Sequence, residues 1–384
     1  MNYRINPQNG EKISLLAFGC MRFPKDIGET EKMLITAIEN GVNYFDTAYI
    51  YPGSEATLGK ILEKNNLREK INIATKLPVF LVKKSADFDK YFYTQLERLR
   101  TKRIDYYLMH MLTGPKSWKR LVDLGIIEWA EKKKQSGEIS NFGFSYHGGA
   151  DGFKELIDAY GWDFTMIMYN YLDENNQAGK SGLLYAADKN IPVMIMEPLR
   201  GGKLASGLPE SVNKLFGEQT PARAPAEWAL RWVFSHEQVL TVLSGMSSLE
   251  IVKKNIEAAS DSGSYALTEE QTRMFGKARA LITEKIKVPC TGCGYCMPCP
   301  CGVDIPLCFS AYNDAELIGR NKAFINYVTR AGAYRASLCK NCGKCGELCP
   351  QNIEIAKKLN EVKKKMEGGI YKPIGSLIRR FMKT

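Results

Sequence analysis

Five cysteines fall within the twelve residues from Cys290 to Cys301, in the run C-T-G-C-G-Y-C-M-P-C-P-C, although the preceding 289 residues contain only Cys20. A second run, C-K-N-C-G-K-C-G-E-L-C-P, sets Cys339, Cys342, Cys345 and Cys349 ahead of Pro350, and Cys308 lies between the two runs. Closely spaced thiolates on a short loop converge on a soft metal centre, whereas disulfide frameworks belong to oxidising compartments. The opening M-N-Y-R-I-N-P-Q-N-G has no apolar stretch behind a basic start. The cytoplasm is therefore the expected location, and metal the expected use of an odd set of 11 cysteines.

The second run is C-x2-C-x2-C-x3-C-P, the spacing of bacterial-type ferredoxins. There one loop wraps three corners of an iron-sulfur cube and the fourth cysteine belongs to the neighbouring cluster. The first run differs by one residue before Cys299. Crossover predicts Cys290, Cys293 and Cys296 with Cys349 on one [4Fe-4S] cluster, and Cys339, Cys342 and Cys345 with Cys299 on a second. Cys301 could substitute for Cys299, and Cys308 reads as a buried thiol. Structural zinc is the alternative, since it also uses paired C-x2-C. Triple runs and two C-P endings favour iron-sulfur.

The elements that must carry these residues change character along the 384-residue chain. Tyr3 to Ile5 and Ile13 to Leu15 flank Asn9-Gly10 and read as a hairpin. Then short strand-like runs (LLAFG, VNYFD, INIAT, DYYLMH, ISNFGFS, FTMIMYN, IPVMIME, LTVLS) alternate with helical segments such as Thr30 to Glu39, Ala86 to Arg98 and Pro225 to Ser235. Eight strand-helix repeats fit an α/β fold of the (β/α)8 TIM-barrel kind. The rival open sheet would place G-x-G-x-x-G after the first strand, where Gly19 is instead followed by Cys20, Met21, Arg22 and Phe23. We expect a barrel over residues 1–283 and, over 284–384, a small, mainly α-helical ferredoxin-like domain with a helical stretch from Pro306 to Thr329.

Composition narrows the function classes. The net charge of +11 is concentrated at the end: nine Lys or Arg against Glu361 and Glu367 from residue 357 onward give +7. A basic tail is not a basic groove, and no nucleic-acid-binding signature appears elsewhere, so nucleic acid is not an expected partner. No run of 18 uncharged apolar residues suggests a membrane span. Within the tail, Ile374, Leu377, Ile378 and Phe381 are spaced for one face of a short helix, which could dock on its own domain or on an acidic redox carrier or anionic membrane surface.

In a (β/α)8 barrel the reacting groups sit at the C-terminal ends of the strands. Here those ends hold Asp46 in FDTA, with Tyr51 following, Lys76 in ATK and His110 in YYLMH. Each alone could be a turn cap, a filler or a satisfied core group; together at consecutive strand ends they suggest acid-base chemistry. At these residues the sequence resembles the aldo-keto reductase superfamily, specifically members with a C-terminal 4Fe-4S domain. FDTAYIY, ATK and LMH resemble its catalytic motifs, and GFSYHG, EPLRGGKL and LSGMSSLEIVKKN its cofactor-binding segments.

The resemblance implies hydride transfer between a nicotinamide and a small carbonyl or alcohol substrate. Tyr51 is the implied proton donor, Lys76 the cation beside it, Asp46 the holder of Lys76, and His110 the group that orients the carbonyl oxygen. It also implies NADP(H) or NAD(H) bound through Ser145, Gly201, Gly202, Gly245, Ser247, Ser248 and Asn255. Tyr146 stands where the family has Asn, Met166 where it has Gln, Met196 where a stacking Tyr is common, and Ile251 where an Arg reads the 2′-phosphate. Lys253 or Lys254 could substitute for that Arg, and Arg22 could hold a substrate carboxylate. Hydride transfer moves two electrons and a [4Fe-4S] cluster one; a flavin could bridge the two, and a redox carrier protein could be a partner. The competing readings are a nicotinamide-only reductase with structural or sensing clusters, and an electron-transfer subunit with an inactive barrel.

Overall fold

The computed structural model describes residues 1–261, 265–317 and 319–369. Strands β1 (Tyr3–Ile5) and β2 (Lys12–Ser14) pair antiparallel with Tyr3 opposite Ser14. Gly10, at φ 75°, supplies the left-handed turn residue, and its N–H donates to the Asn6 carbonyl at 2.9 Å. Eight further strands follow: β3 (Leu16–Gly19), β4 (Tyr44–Asp46), β5 (Asn72–Leu77), β6 (Ile104–Leu112), β7 (Ile139–Tyr146), β8 (Phe164–Met168), β9 (Val193–Met196) and β10 (Val239–Ser244). Each pairs in parallel with the next, and β10 pairs with β3, so the sheet closes into the expected (β/α)8 barrel.

The runs are apolar on both faces because one face fills the barrel and the other meets the helices. Ala17, Tyr44, Ala74, Tyr106, Leu108, Phe164, Met166 and Met194 fill the interior. Tyr106 packs against Tyr44 and Phe164 with ring centroids 5.0 Å apart in each case. Its hydroxyl donates to Glu11 Oε2 at 2.6 Å and accepts from Asn6 Nδ2 at 3.2 Å, which ties the hairpin to β6.

Two compact units divide the chain: Met1–Pro198 with Glu227–Leu267, and Leu199–Ala226 with Thr268–Thr384. The second unit carries no strand among its described residues. The stretch Pro306 to Thr329, expected as helical, is two helices, Ile305–Leu317 and Arg320–Asn326, followed by a π-helical turn. Gly319, at φ 93°, separates them. The core is formed by Val288, Val303, Phe309, Tyr327, Leu359 and Val362, with Cys345 and Cys349 packed against it. The Tyr327 hydroxyl donates to Glu367 Oε1 at 2.6 Å, and Ser337 N–H donates to the same oxygen at 3.0 Å, which fixes the turn before Cys339. Among the described residues no helix is long and apolar enough to cross a membrane. The tail face of Ile374, Leu377, Ile378 and Phe381 lies outside the described residues.

Candidate active site

Asp46, Lys76 and His110 stand on the neighbouring strands β4, β5 and β6, so the barrel's register alone puts them side by side. Lys76 Nζ donates to Asp46 Oδ1 at 2.6 Å and to the Thr47 carbonyl at 2.7 Å, and both charged side chains are buried. Burial raises the Asp46 carboxyl, and the Lys76 ammonium opposes that shift. Asp46 Oδ2 is buried with no hydrogen-bond partner. Half-buried Tyr51 completes the group: Lys76 Nζ lies 5.3 Å from the centre of its ring, and the His110 ring lies edge-on to it with centroids 6.1 Å apart. Burial, then the charge of Lys76 and the neighbouring His147, hold His110 well below its ordinary value, so its imidazole is neutral.

Residues that no local pattern singled out position this group. Glu55, at the start of helix Ser54–Lys64, is buried and accepts from Thr75 Oγ1 at 2.6 Å, Gln95 Nε2 at 2.7 Å and Arg98 Nη1 at 3.1 Å. Gln95 also donates to the Lys76 carbonyl at 3.1 Å, and Arg98 to the Tyr49 carbonyl at 3.2 Å. Both β5 and the loop that carries Tyr51 are thereby anchored to one buried carboxylate. Thr47 and Ser54 share a 2.8 Å hydroxyl bond across that loop, and Ser54 Oγ donates to the Cys20 carbonyl at 2.8 Å. An acid in the first helical turn reads in sequence as a favourable dipole interaction, which hides the Glu55 role.

The strand that carries His110 is irregular just beyond it. Met111 has φ 63°, uncommon for a residue with a side chain, and the β6–β7 register shifts between Met109 and Leu112. Met111 N–H donates to Ser145 Oγ at 2.9 Å, which uses that hydroxyl as an acceptor and leaves its hydrogen to give. Tyr146 turns away: its hydroxyl donates to the Gly149 carbonyl at 2.8 Å and its ring packs on Phe153. His147, the next residue, is buried and held down to about 4 chiefly by burial, which nearby Gln177 partly offsets. No spacing in the sequence singles out His147 within GFSYHG. Met166 lies in the barrel core, and Met196 packs against that core.

After β10, Gly245 and Ser247 are exposed, and Ser248 caps helix Leu249–Ala259 by accepting from Ile251 N–H. A side chain at Gly245 would meet only Arg22 Cδ, at 4.0 Å, so the backbone there is open to a ligand and exposed Arg22 lies beside it. Asn255 is buried and donates to Ser244 Oγ at 2.9 Å, tying helix to strand. Lys254 pairs with Glu250 at 2.6 Å, and Lys253 is exposed.

Gly201 and Gly202 belong to the second unit. Beside them Arg200 Nη2 donates to the Pro289 carbonyl at 3.3 Å and Lys203 Nζ to the Cys290 carbonyl at 2.9 Å. Cys290, Cys293, Cys296 and Cys349 line one small cavity whose walls include Ile305, Phe309 and Ile353. Burial, then Cys293, Cys290 and Cys349, push the Cys296 thiol up to about 12. Cys345 is raised by burial and, further, by Cys339, Cys299 and Cys342. Cys301 is half-buried, and Cys308 is buried beside the Tyr327 hydroxyl. Among the described residues no three His, Cys, Asp or Glu side chains are grouped to hold a single metal ion.

Known proteins place this arrangement. The Aldo/keto reductase family profile matches residues 15–275. An uncharacterized oxidoreductase of Bacillus subtilis is 24% identical over 310 residues, 67% of this chain and 91% of that protein. An aldo-keto reductase of Mycolicibacterium vanbaalenii is 28% identical over 251 residues, 63% of this chain and 81% of that protein. Among solved structures, the holo form of an aldo-keto reductase from Bacillus halodurans superposes with a TM-score of 0.61 at 27% identity, covering 72% of this chain and 96% of that one. The matched span contains all eight barrel strands, and this chain belongs to the aldo/keto reductase family: it is an oxidoreductase of that type, working with NAD(P)H.

Proposed function

We propose that the barrel interconverts a small carbonyl and its alcohol by hydride transfer, and that the cysteine domain of residues 284–384 holds two [4Fe-4S] clusters linking it to one-electron chemistry. The observation that carries the first part is Lys76, bonded to Asp46 at 2.6 Å, beside the rings of Tyr51 and His110. When bound, the nicotinamide supplies hydride to the carbonyl carbon. The residues present fit it: Ser145 keeps a hydrogen to donate, and Gly245 opens the backbone beside the start of helix Leu249–Ala259, where N–H groups favour a phosphate. Ser247 and Ser248 are proposed as its further contacts, and Asn255 as the residue that holds the helix to β10. Neither Lys253 nor Lys254 is assigned a 2′-phosphate role.

Tyr51 gives its proton to the carbonyl oxygen as hydride arrives. An unaided phenol, with an ordinary value near 10, is a weak acid. The Lys76 ammonium stabilises negative charge developing on the phenolic oxygen, and buried Asp46 keeps that ammonium in place. Neutral His110 donates a ring N–H to the carbonyl oxygen and orients it. In the alcohol direction the same groups run in reverse.

The second part is supported by two cysteine sets that follow the crossover of the sequence runs: Cys290, Cys293, Cys296 and Cys349 around one cavity, and Cys345 within electrostatic reach of Cys339, Cys299 and Cys342. Zinc would need four sulfurs each about 2.3 Å from one ion. The cube of a [4Fe-4S] cluster spreads its four ligands over separate corners, in keeping with thiols that ring a cavity without closing on a point. Bound there, the clusters supply one-electron transfer. A flavin could join that to hydride chemistry; nothing in the site is specific to one, and no step is routed through it. The basic tail, with +7 of the +11 charge, is the proposed docking element for an acidic redox carrier in the cytoplasm.

Titration of anaerobically purified protein, first with NADPH and then with NADH, tests the link. Broad absorbance near 400 nm that bleaches with either nucleotide is the expected result. Absorbance that yields only to dithionite would mean clusters uncoupled from the barrel.

A further inference from the structure

We propose that the Thr291 hydroxyl donates a hydrogen bond to a sulfur of the cluster held by Cys290, Cys293, Cys296 and Cys349, and thereby raises that cluster's reduction potential. The proposal rests on the iron-sulfur reading above and adds an inequality between the two clusters. Thr291 lines the same cavity as the four thiols, is 2% exposed, and its Oγ1 is buried without a hydrogen-bond partner. Buried hydroxyls are nearly always bonded, so one that is orphaned calls for a missing acceptor. The cavity wall formed by Ile305, Phe309 and Ile353 offers no acceptor side chain, and Gln351, which also lines the cavity, makes no bond to Thr291 Oγ1. Sulfur of a bound cluster is the acceptor that the cavity's chemistry supplies.

The backbone holds Thr291 in this position. Lys203 Nζ donates to the carbonyl of Cys290 and Arg200 Nη2 to that of Pro289, which pins the chain just before it. Gly292, at φ 73°, turns the chain just after it. The matching position of the other run, after Cys339, is exposed Lys340. One-electron reduction adds a negative charge to the cluster while the proton stays on Thr291, and a hydrogen bond to sulfur is stronger in the reduced state.

The test is an electron paramagnetic resonance titration of the full-length protein, poised with dithionite under argon. Wild type, Thr291→Val and Thr291→Ser are compared after iron and acid-labile sulfide have been measured. One of the two midpoints should fall in Thr291→Val by about 59 mV, a tenfold change in a one-electron equilibrium. The other midpoint should stay in place, and Thr291→Ser should match wild type. Unchanged midpoints in a fully loaded Thr291→Val protein would overturn the role of the hydroxyl and leave the clusters standing. Wild type that lacks iron and sulfide would instead overturn the cluster reading, and this proposal with it. If valine impairs loading, Thr291→Ala against Thr291→Ser decides the matter by the same midpoints.

Discussion

Lys76→Met keeps most of the side-chain volume and removes the ammonium with its bonds to Asp46 and the Thr47 carbonyl. Asp46 then loses the 2.6 Å bond to its Oδ1, while Oδ2 already has no partner and the residue is 5% exposed. Removing one partner of a buried pair costs about 3–5 kcal/mol, because the other charge is left uncompensated. Burial already raises the Asp46 carboxyl, and without the ammonium nothing opposes that shift, so the variant escapes part of the cost by protonating Asp46. The folded state then binds a proton that the unfolded chain releases above about pH 4. The variant's stability is therefore best preserved in acid and falls as pH rises, by at most about 1.4 kcal/mol per pH unit until the folded carboxyl ionises. Urea unfolding followed by tryptophan fluorescence isolates the effect, since all five tryptophans, at 118, 129, 162, 228 and 232, lie in the barrel unit. The double variant Asp46→Asn/Lys76→Met should recover to within about 1–2 kcal/mol of wild type, since no buried charge remains. A cost below about 1 kcal/mol for Lys76→Met at pH 8, or a double variant as unstable as the single, would refute the reasoning.

Glu55→Leu should cost about 2–4 kcal/mol and lower kcat/KM, because Thr75, Gln95 and Arg98 lose their shared acceptor; urea unfolding beside steady-state rates checks both. His147 sits at about 4 against an ordinary 6.5, so the unfolded state binds the extra proton and stability falls as pH drops from 6.5 toward 4, by about 3 kcal/mol at 1.36 kcal/mol per unit. His110 is lowered as well, so the pH profile of kcat/KM should show no inflection near 6.5, and a step there would contradict its neutral state. Cys349→Ser and Cys290→Ser should each remove about half the iron and disturb the same paramagnetic signal, as crossover requires. Loss of different signals would assign Cys349 to the other cluster.

The barrel was legible because each strand carries its own signal: a short apolar run, followed by helix, eight times over. The strand-end set was legible for the same reason, since parallel register places consecutive ends side by side. Glu55, Gln95 and Arg98 were not, because the bonds that hold Lys76 and the Tyr51 loop span twenty to forty-three residues of sequence. The outward turn of Tyr146 depends on Phe153 and the Gly149 carbonyl, which no residue type announces. The bonds of Arg200 and Lys203 to Pro289 and Cys290 span nearly ninety residues, and only the folded second unit joins them. The break at Gly319 was readable in principle, as a glycine inside an otherwise helical stretch.

The most direct measurement is reduction of a panel of small carbonyls by Tyr51→Phe protein, with nucleotide affinity followed by fluorescence. The account predicts that kcat/KM falls by about 10²–10⁴, the range of a lost general acid, while NAD(P)H binds as tightly as to wild type. Full turnover in Tyr51→Phe, with nucleotide bound normally, would contradict it.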